Sequence, residues 1–181
     1  MRLIKAIDKQ SSGAPTQAKF AYLFRADDIT YWFPPDAGGV KLNYAPRILR
    51  DAFVFRLYIT PNSQEFSYDT VGDVDEGGFK TKFTGTHPGC ELSALEFAKN
   101  YLHQGFIVMI PQCDHPTVVL GTPDNPLFFS SSHKSSKDGR KFTFQFEQEI
   151  DSEEIYMLGD FQPWENSKFR FFDKYFNKKF D

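Results

Sequence analysis

The sequence predicts a mainly β domain with a minor α component: an antiparallel β-sandwich or partly closed barrel with one flanking α-helix at about residues 90–104. Three observations carry this. Residues 105–150 read as four closely spaced strands separated by turn-forming residues. Residues 52–60 alternate between two faces with period two. Of 181 residues, 21 are Phe, 8 Tyr and 2 Trp, which makes 17% aromatic, and flat rings packing across strands favour sheets.

Taken in order, residues 2–8 read as a strand, followed by a polar loop at 10–17 with Ser11, Ser12, Gly13 and Pro15. Residues 18–25 place Phe20, Tyr22 and Phe24 on one side, and 29–33 form a second aromatic strand ended by Pro34 and Pro35. Gly38 and Gly39 mark 36–46 as a loop. In 52–60, Phe53, Phe55, Leu57 and Ile59 face one way. Val54, Arg56, Tyr58 and Thr60 face the other, and only Arg56 and Thr60 there are plainly polar, so both faces are expected to be covered. Residues 61–78 are the most acidic and glycine-bearing stretch, with Asp69, Asp73, Asp75 and Glu76, and read as a long exposed excursion. A strand returns at 79–86.

The helix is expected over 90–103, with Leu92, Leu95, Ala98 or Lys99, and Leu102 on its apolar face and Gly105 as its stop. Strands follow at 106–110, stopped by Pro111, and at 117–120, stopped by the turn Gly121-Thr122-Pro123-Asp124-Asn125-Pro126. Another strand covers 127–130, a polar loop 133–140, and 141–149 alternates with Phe142, Phe144 and Phe146 on the buried face. After an apolar patch at 155–158, residues 168–180 interleave six rings with five cations. The expected organisation is one β-rich domain over 1–164 and an aromatic, basic docking arm over 165–181.

A formal charge of −3 gives no global attraction to nucleic acid or to an anionic membrane. No apolar run approaches a membrane span, and the first residues lack an apolar signal core. Two cysteines make no disulfide framework, so a reducing cytoplasm is the expected site of synthesis.

His87, Cys90, Cys113 and His115 are the residues to weigh as metal ligands, because two pairs of soft donors flank the helix and the strand after it. Cys113 and His115 are one residue apart, tighter than the usual structural-zinc pair, and Pro88 and Pro116 stiffen both turns. No metal and no cofactor are expected. The run Asp73-Val74-Asp75-Glu76-Gly77-Gly78 lacks the calcium-loop register. No phosphate cradle, nucleophile elbow or paired-histidine helix is present, and Asp114 beside His115 does not make a triad. An enzyme is not expected. Surface rings such as Tyr31, Trp32 and Trp164 leave an alternative open, a β-sandwich module that binds carbohydrate or a host-surface ligand by stacking.

Over about residues 90–150, the helix, the strand, the Leu120-Gly121 step into the proline-flanked turn, and the polar loop leading into Asp138-Gly139-Arg140-Lys141-Phe142-Thr143-Phe144-Gln145-Phe146 resemble small virion proteins of tailed phages and prophages of Bacteroidetes. The resemblance implies a tail or neck component with a tail-tube-like β fold. It implies assembly into rings with copies of itself and other virion proteins, DNA met only as it passes through a channel, and residence in the virion after synthesis in the bacterial cytoplasm. Contacts between subunits are then expected through the two long polar loops, with Asp73, Asp75, Glu76, Lys134 and Lys137, and through Phe169, Phe172 and Phe176 of the arm.

Overall fold

The computed structural model describes residues 19–60, 62–72, 77–89, 91–112, 116–136, 139–150 and 156–158. Among them are twelve strands and one α-helix: β1 (Phe20–Arg25), β2 (Ile29–Tyr31), β3 (Lys41–Leu42), β4 (Arg47–Ile48), β5 (Val54–Tyr58), β6 (Glu65–Val71), β7 (Gly78–Pro88), α1 (Leu92–Tyr101), β8 (Gly105–Ile110), β9 (Thr117–Leu120), β10 (Leu127–Ser136), β11 (Gly139–Gln148) and β12 (Tyr156–Leu158). The fold is mainly β and sandwich-like.

Strand β8 is the junction of the sheet. One of its edges pairs antiparallel with β1, from Tyr22↔Met109 to Arg25↔Phe106. Its other edge is shared, with β9 along Val108, Met109 and Ile110 and with β10 at Phe106 and Gly105. Two wings therefore diverge from it. One runs through β9 and β12 to β3, with β1 and β5 on the near side, and the other runs β10-β11-β7-β6. The parallel β12–β3 pair makes the sheet mixed.

Because the wings diverge at β8, the second folds over the first and encloses an apolar layer. Ala21, Leu23, Phe55, Phe106, Val108, Ile110, Phe129, Phe142, Phe144 and Phe146 belong to it. The opposite face of the first wing carries a second core of Tyr22, Phe24, Ile107, Met109, Val119, Tyr156 and Leu158, packed under Ile29, Trp32 and Ile48. Both faces of β1, β8 and β9 are thus buried, which is why these strands are nearly continuous apolar runs.

The barrel does not close. Where β5 ends, the Thr60 N–H donates to the Thr86 carbonyl (2.8 Å) and Ser63 Oγ accepts from the Thr86 N–H (3.1 Å), but no described ladder joins β5 to β7. Gly85 permits even this approach, since a Cβ there would lie 2.7 Å from Ile59 Cγ2.

Several expectations are corrected. The helix is shorter than 90–104 and turns a different face inward: Ala94 and Phe97 are buried and Ala98 and Tyr101 pack on the core, while Leu92 is 73% exposed and Leu95 and Leu102 are also exposed. The core is built of rings, and Phe97 meets it with ring centroids 5.0 Å from Phe129 and 5.3 Å from Phe55. The left-handed residue after the helix is His103 (φ 59°), whereas Gly105 already opens β8. The expected excursion at 61–78 contains β6, paired with β7 from Glu65↔Thr84 to Val71↔Gly78. The expected loop at 133–140 is mostly ladder, with Ser136 opposite Gly139 and only two residues between them. Within the expected loop at 36–46 lies β3. Residues 2–8, 10–17 and 168–180 lie outside the described residues.

One buried group is in the wrong place for stability. Tyr68, on the inner face of β6, has a buried hydroxyl with no hydrogen-bond partner among the described residues, and burial pushes the phenol up from its ordinary value. Tyr68→Phe should raise stability by about 1 kcal/mol, because an unpaired buried hydroxyl is a net cost. The unfolded phenol ionises near pH ~10 while the folded one keeps its proton, so stability should fall as the pH rises past that value. Urea titrations of the phenylalanine variant should show a higher midpoint and a shallower alkaline decline.

Candidate functional site

Two features stand out once the ladders are drawn: the free edges of the second wing, and a cavity at the unclosed seam. Strand β6 is one edge of β10-β11-β7-β6. Phe66 and Tyr68 point to the first core, and Glu65, Ser67 and Asp69 lie on the other face, with Glu65 and Asp69 exposed and the Ser67 hydroxyl donating to Asp69 Oδ2 (3.1 Å). The register with β7 is continuous, and the strand holds neither proline nor lysine, the usual protections of an edge. Among the described residues no strand pairs with its second side.

Across the same sheet, β10 is the other edge. Its pairing with β8 stops at Leu127 and Phe128, and Phe129 exchanges backbone hydrogen bonds with His103 (2.9 Å) and Gln104 (3.1 Å). Residues 130–136 then pair only with β11 among the described strands. Lys134 stands here, exposed, on a strand and not in a loop, with Ser132, His133 and Ser135 exposed beside it. One flank is acidic and the other is rich in serine with a lysine, and each offers a row of N–H and C=O groups that no described strand pairs.

Between the flanks the outward face is polar. Lys80 Nζ and Lys82 Nζ lie 2.9 and 3.7 Å from the carboxylate of Glu147, which also accepts from Gln145 Nε2 (2.9 Å). The Lys80 hydrogen bond above all holds the Glu147 carboxyl below its ordinary range.

The cavity, of about 200 Å³, opens where β5 falls short of β7 and α1 begins. Its walls are Leu23, Phe55, Leu57, Ala94, Phe97 and Phe144, and its rim holds Arg56, Tyr58, His87, Glu91 and Ser93. The guanidinium of Arg56 sits over the Phe20 ring at 4.6 Å.

Of the residues weighed as metal ligands, His87 lies on this rim, its Nδ1 3.0 Å from the Tyr58 carbonyl and its ring against Tyr58 and Phe144. Cys90, Cys113 and His115 lie outside the described residues, among which no group of three potential ligands gathers. Asp73, Asp75, Glu76, Lys137, Trp164, Phe169, Phe172 and Phe176 also lie outside them. Trp32 is half-buried against Tyr156 and covers the second core. Tyr31 is exposed and meets Phe33 edge-on at 4.8 Å, and exposed Tyr44 stacks obliquely on Phe33 at 5.2 Å with Arg47 on the same ring.

The sequence reading missed both edges and the cavity. The alternation of Phe66 and Tyr68 with Glu65, Ser67 and Asp69 was the available signal for β6, whereas the cavity has no local signature. Among the described residues no helix is long and apolar enough to cross a membrane. Comparison with known protein families, with curated proteins and with solved structures finds no match to this chain.

Proposed function

We propose that this chain is a non-enzymatic structural subunit of a tailed-phage virion, in the tail or neck, which joins copies of itself and other virion proteins into a ring or tube around the DNA channel. The observation that carries the reading is the pair of edges left open among the described strands, β6 and the outer part of β10, on opposite flanks of one four-stranded antiparallel wing of the sheet. A contact between two different edges is heterologous, and repeated head to tail it closes into a ring when the rotation allows. Glu65 and Asp69 on one flank suit Lys134 on the other, and main-chain pairing would satisfy both rows of backbone groups. The resemblance over residues 90–150 supplies the phage context.

Light scattering and negative-stain microscopy of the purified chain test this. Rings or tubes are expected. Glu65→Lys, an exposed position opposite Thr84, should shift the population to monomers with an unchanged melting temperature, and adding Lys134→Glu should restore part of the assembly. Particles of unchanged mass in the Glu65→Lys variant would refute the edge contact.

A second reading is a β-sandwich module for carbohydrate or another host-surface ligand, favoured by the exposed rings of Tyr31 and Tyr44 around Phe33. Those rings are tilted against one another and offer no coplanar platform, which ranks this reading below the first.

A further inference from the structure

We propose that the seam cavity seats an aromatic ring from residues 168–180 of a neighbouring copy. This rests on the reading of the chain as a self-assembling subunit and names the contact that would lock one copy to the next.

Size comes first. The cavity of about 200 Å³ exceeds the ~150 Å³ of an apolar cavity that holds a benzene molecule, so one phenyl ring fits. Among its lining residues, Leu23, Phe55, Leu57, Ala94, Phe97 and Phe144 carry no side-chain donor or acceptor. Three of those six walls are rings, and a further ring can meet them edge-on as they meet one another.

The rim and the segment also match in charge. Arg56 stands on the rim opposite in sign to Glu91. In the sequence Phe169-Arg170-Phe171-Phe172-Asp173-Lys174-Tyr175-Phe176, every ring lies within two residues of a charge, and both signs occur. A ring inserted from this segment would bring a cation toward Glu91 and the Asp173 carboxylate toward Arg56. Six rings in thirteen residues are costly to leave in water.

Position favours a neighbour over the same copy. The last described strand, β12, buries Tyr156 and Leu158 in the second core, on the face of the first wing turned away from the cavity. Occupancy within one copy would require the segment to round the sheet. From residue 159 to 172 the chain spans at most about 46 Å, and mixing labelled with unlabelled copies tells a neighbour's ring from one of the same copy.

The test uses the full chain carrying benzoylphenylalanine in place of Phe169, Phe172 or Phe176 in turn. Unlabelled and uniformly ¹⁵N-labelled copies are mixed in equal amounts, assembled and irradiated, and the cross-linked peptides are identified by mass. The expected result is adducts that join labelled to unlabelled chains at residues 54–58 or 91–97 for at least one of the three positions. Plugging the cavity mouth with Ser93→Trp, in a second preparation whose melting curve shows it folded, should cut their yield at least about tenfold. Adducts confined to single chains, adducts that map elsewhere, absence of adducts from all three positions, or a yield unmoved by the plug would each overturn the proposal. Microscopy of the same samples separates the two ideas: rings with adducts elsewhere sink the cavity contact alone, and cavity adducts between copies without rings sink the ring reading alone.

Discussion

Phe144→Ala should cost about 3–5 kcal/mol, the largest loss expected from any single side chain considered. The ring is 1% exposed and packs against Phe142 at 4.9 Å, Phe129 at 5.8 Å and Phe97 at 6.1 Å. It ties the second wing to the helix. Its loss removes the transfer energy of a buried ring and leaves a void beside an existing cavity, so the neighbours have little means of closing up. A domain of ordinary stability holds roughly 5–15 kcal/mol, so the variant should stand near the edge of folding at 37 °C. Phe144→Leu keeps most of the volume and should cost less than about 1.5 kcal/mol. Denaturant titrations with an unchanged slope measure both, and an unmoved midpoint for the alanine variant would show that this ring does not hold the wings together.

Gly121→Val should cost about 3 kcal/mol through the backbone. Gly121 has φ +83°, in the left-handed region that a β-branched residue rarely enters. A Cβ there would lie 2.6 Å from Leu127 Cδ1, with the Asn125 carbonyl oxygen and the Leu127 nitrogen at 3.4 Å. Strain and overpacking each cost about 1–3 kcal/mol. The turn has little room to yield. Thr122 N–H donates to the Asn125 carbonyl (3.1 Å), Asn125 N–H donates to Thr122 Oγ1 (3.0 Å), and Asn125 Nδ2 donates to the Ile150 carbonyl (2.9 Å). Gly121→Ala avoids the branched carbon and should lose less, so the difference between the two melting temperatures isolates the β-branch.

The parts of the fold that were legible are those where burial writes a pattern along the chain. Phe142, Phe144 and Phe146 alternate because one face of β11 meets the core, and 106–110 and 117–120 are unbroken because β8 and β9 are covered on both sides. Legibility failed where composition outvoted periodicity. Around β6 the nearby acids and glycines suggested a loop, yet Phe66 and Tyr68 sit two apart and pack inward. On α1 the leucines suggested the buried face, but a core lined with rings took Phe97 and Tyr101 and left Leu92 to solvent. For residues 131–136, serine, histidine and lysine carry no strand preference of their own, and pairing with β11 imposes the extended conformation. Gln148 shows the same limit: it is 2% exposed, accepts from the Thr81 N–H (3.2 Å) and donates to the Asn125 carbonyl (3.0 Å), and nothing in its surroundings in the sequence announces those partners. Neither the edges nor the cavity was legible, because an edge is the absence of a neighbour and the cavity is the distance β5 falls short of β7.

The junction at β8 also sets an order of events in folding. The hairpins β6–β7 and β10–β11 join residues close in sequence and can form within about 1–10 μs. The pairing of Tyr22 with Met109 cannot gain its hydrogen bonds until the whole intervening chain has been looped out. Both cores depend on that pairing, since Leu23 and Phe106 belong to one and Tyr22 and Met109 to the other. Cooperative folding should therefore wait on contacts of high sequence separation, this pairing and that of Leu42 with Leu158 among them, and run in the millisecond-to-second range of non-local β topologies. During that wait the early hairpins expose Phe66, Phe129 and Phe144 to any other nascent chain.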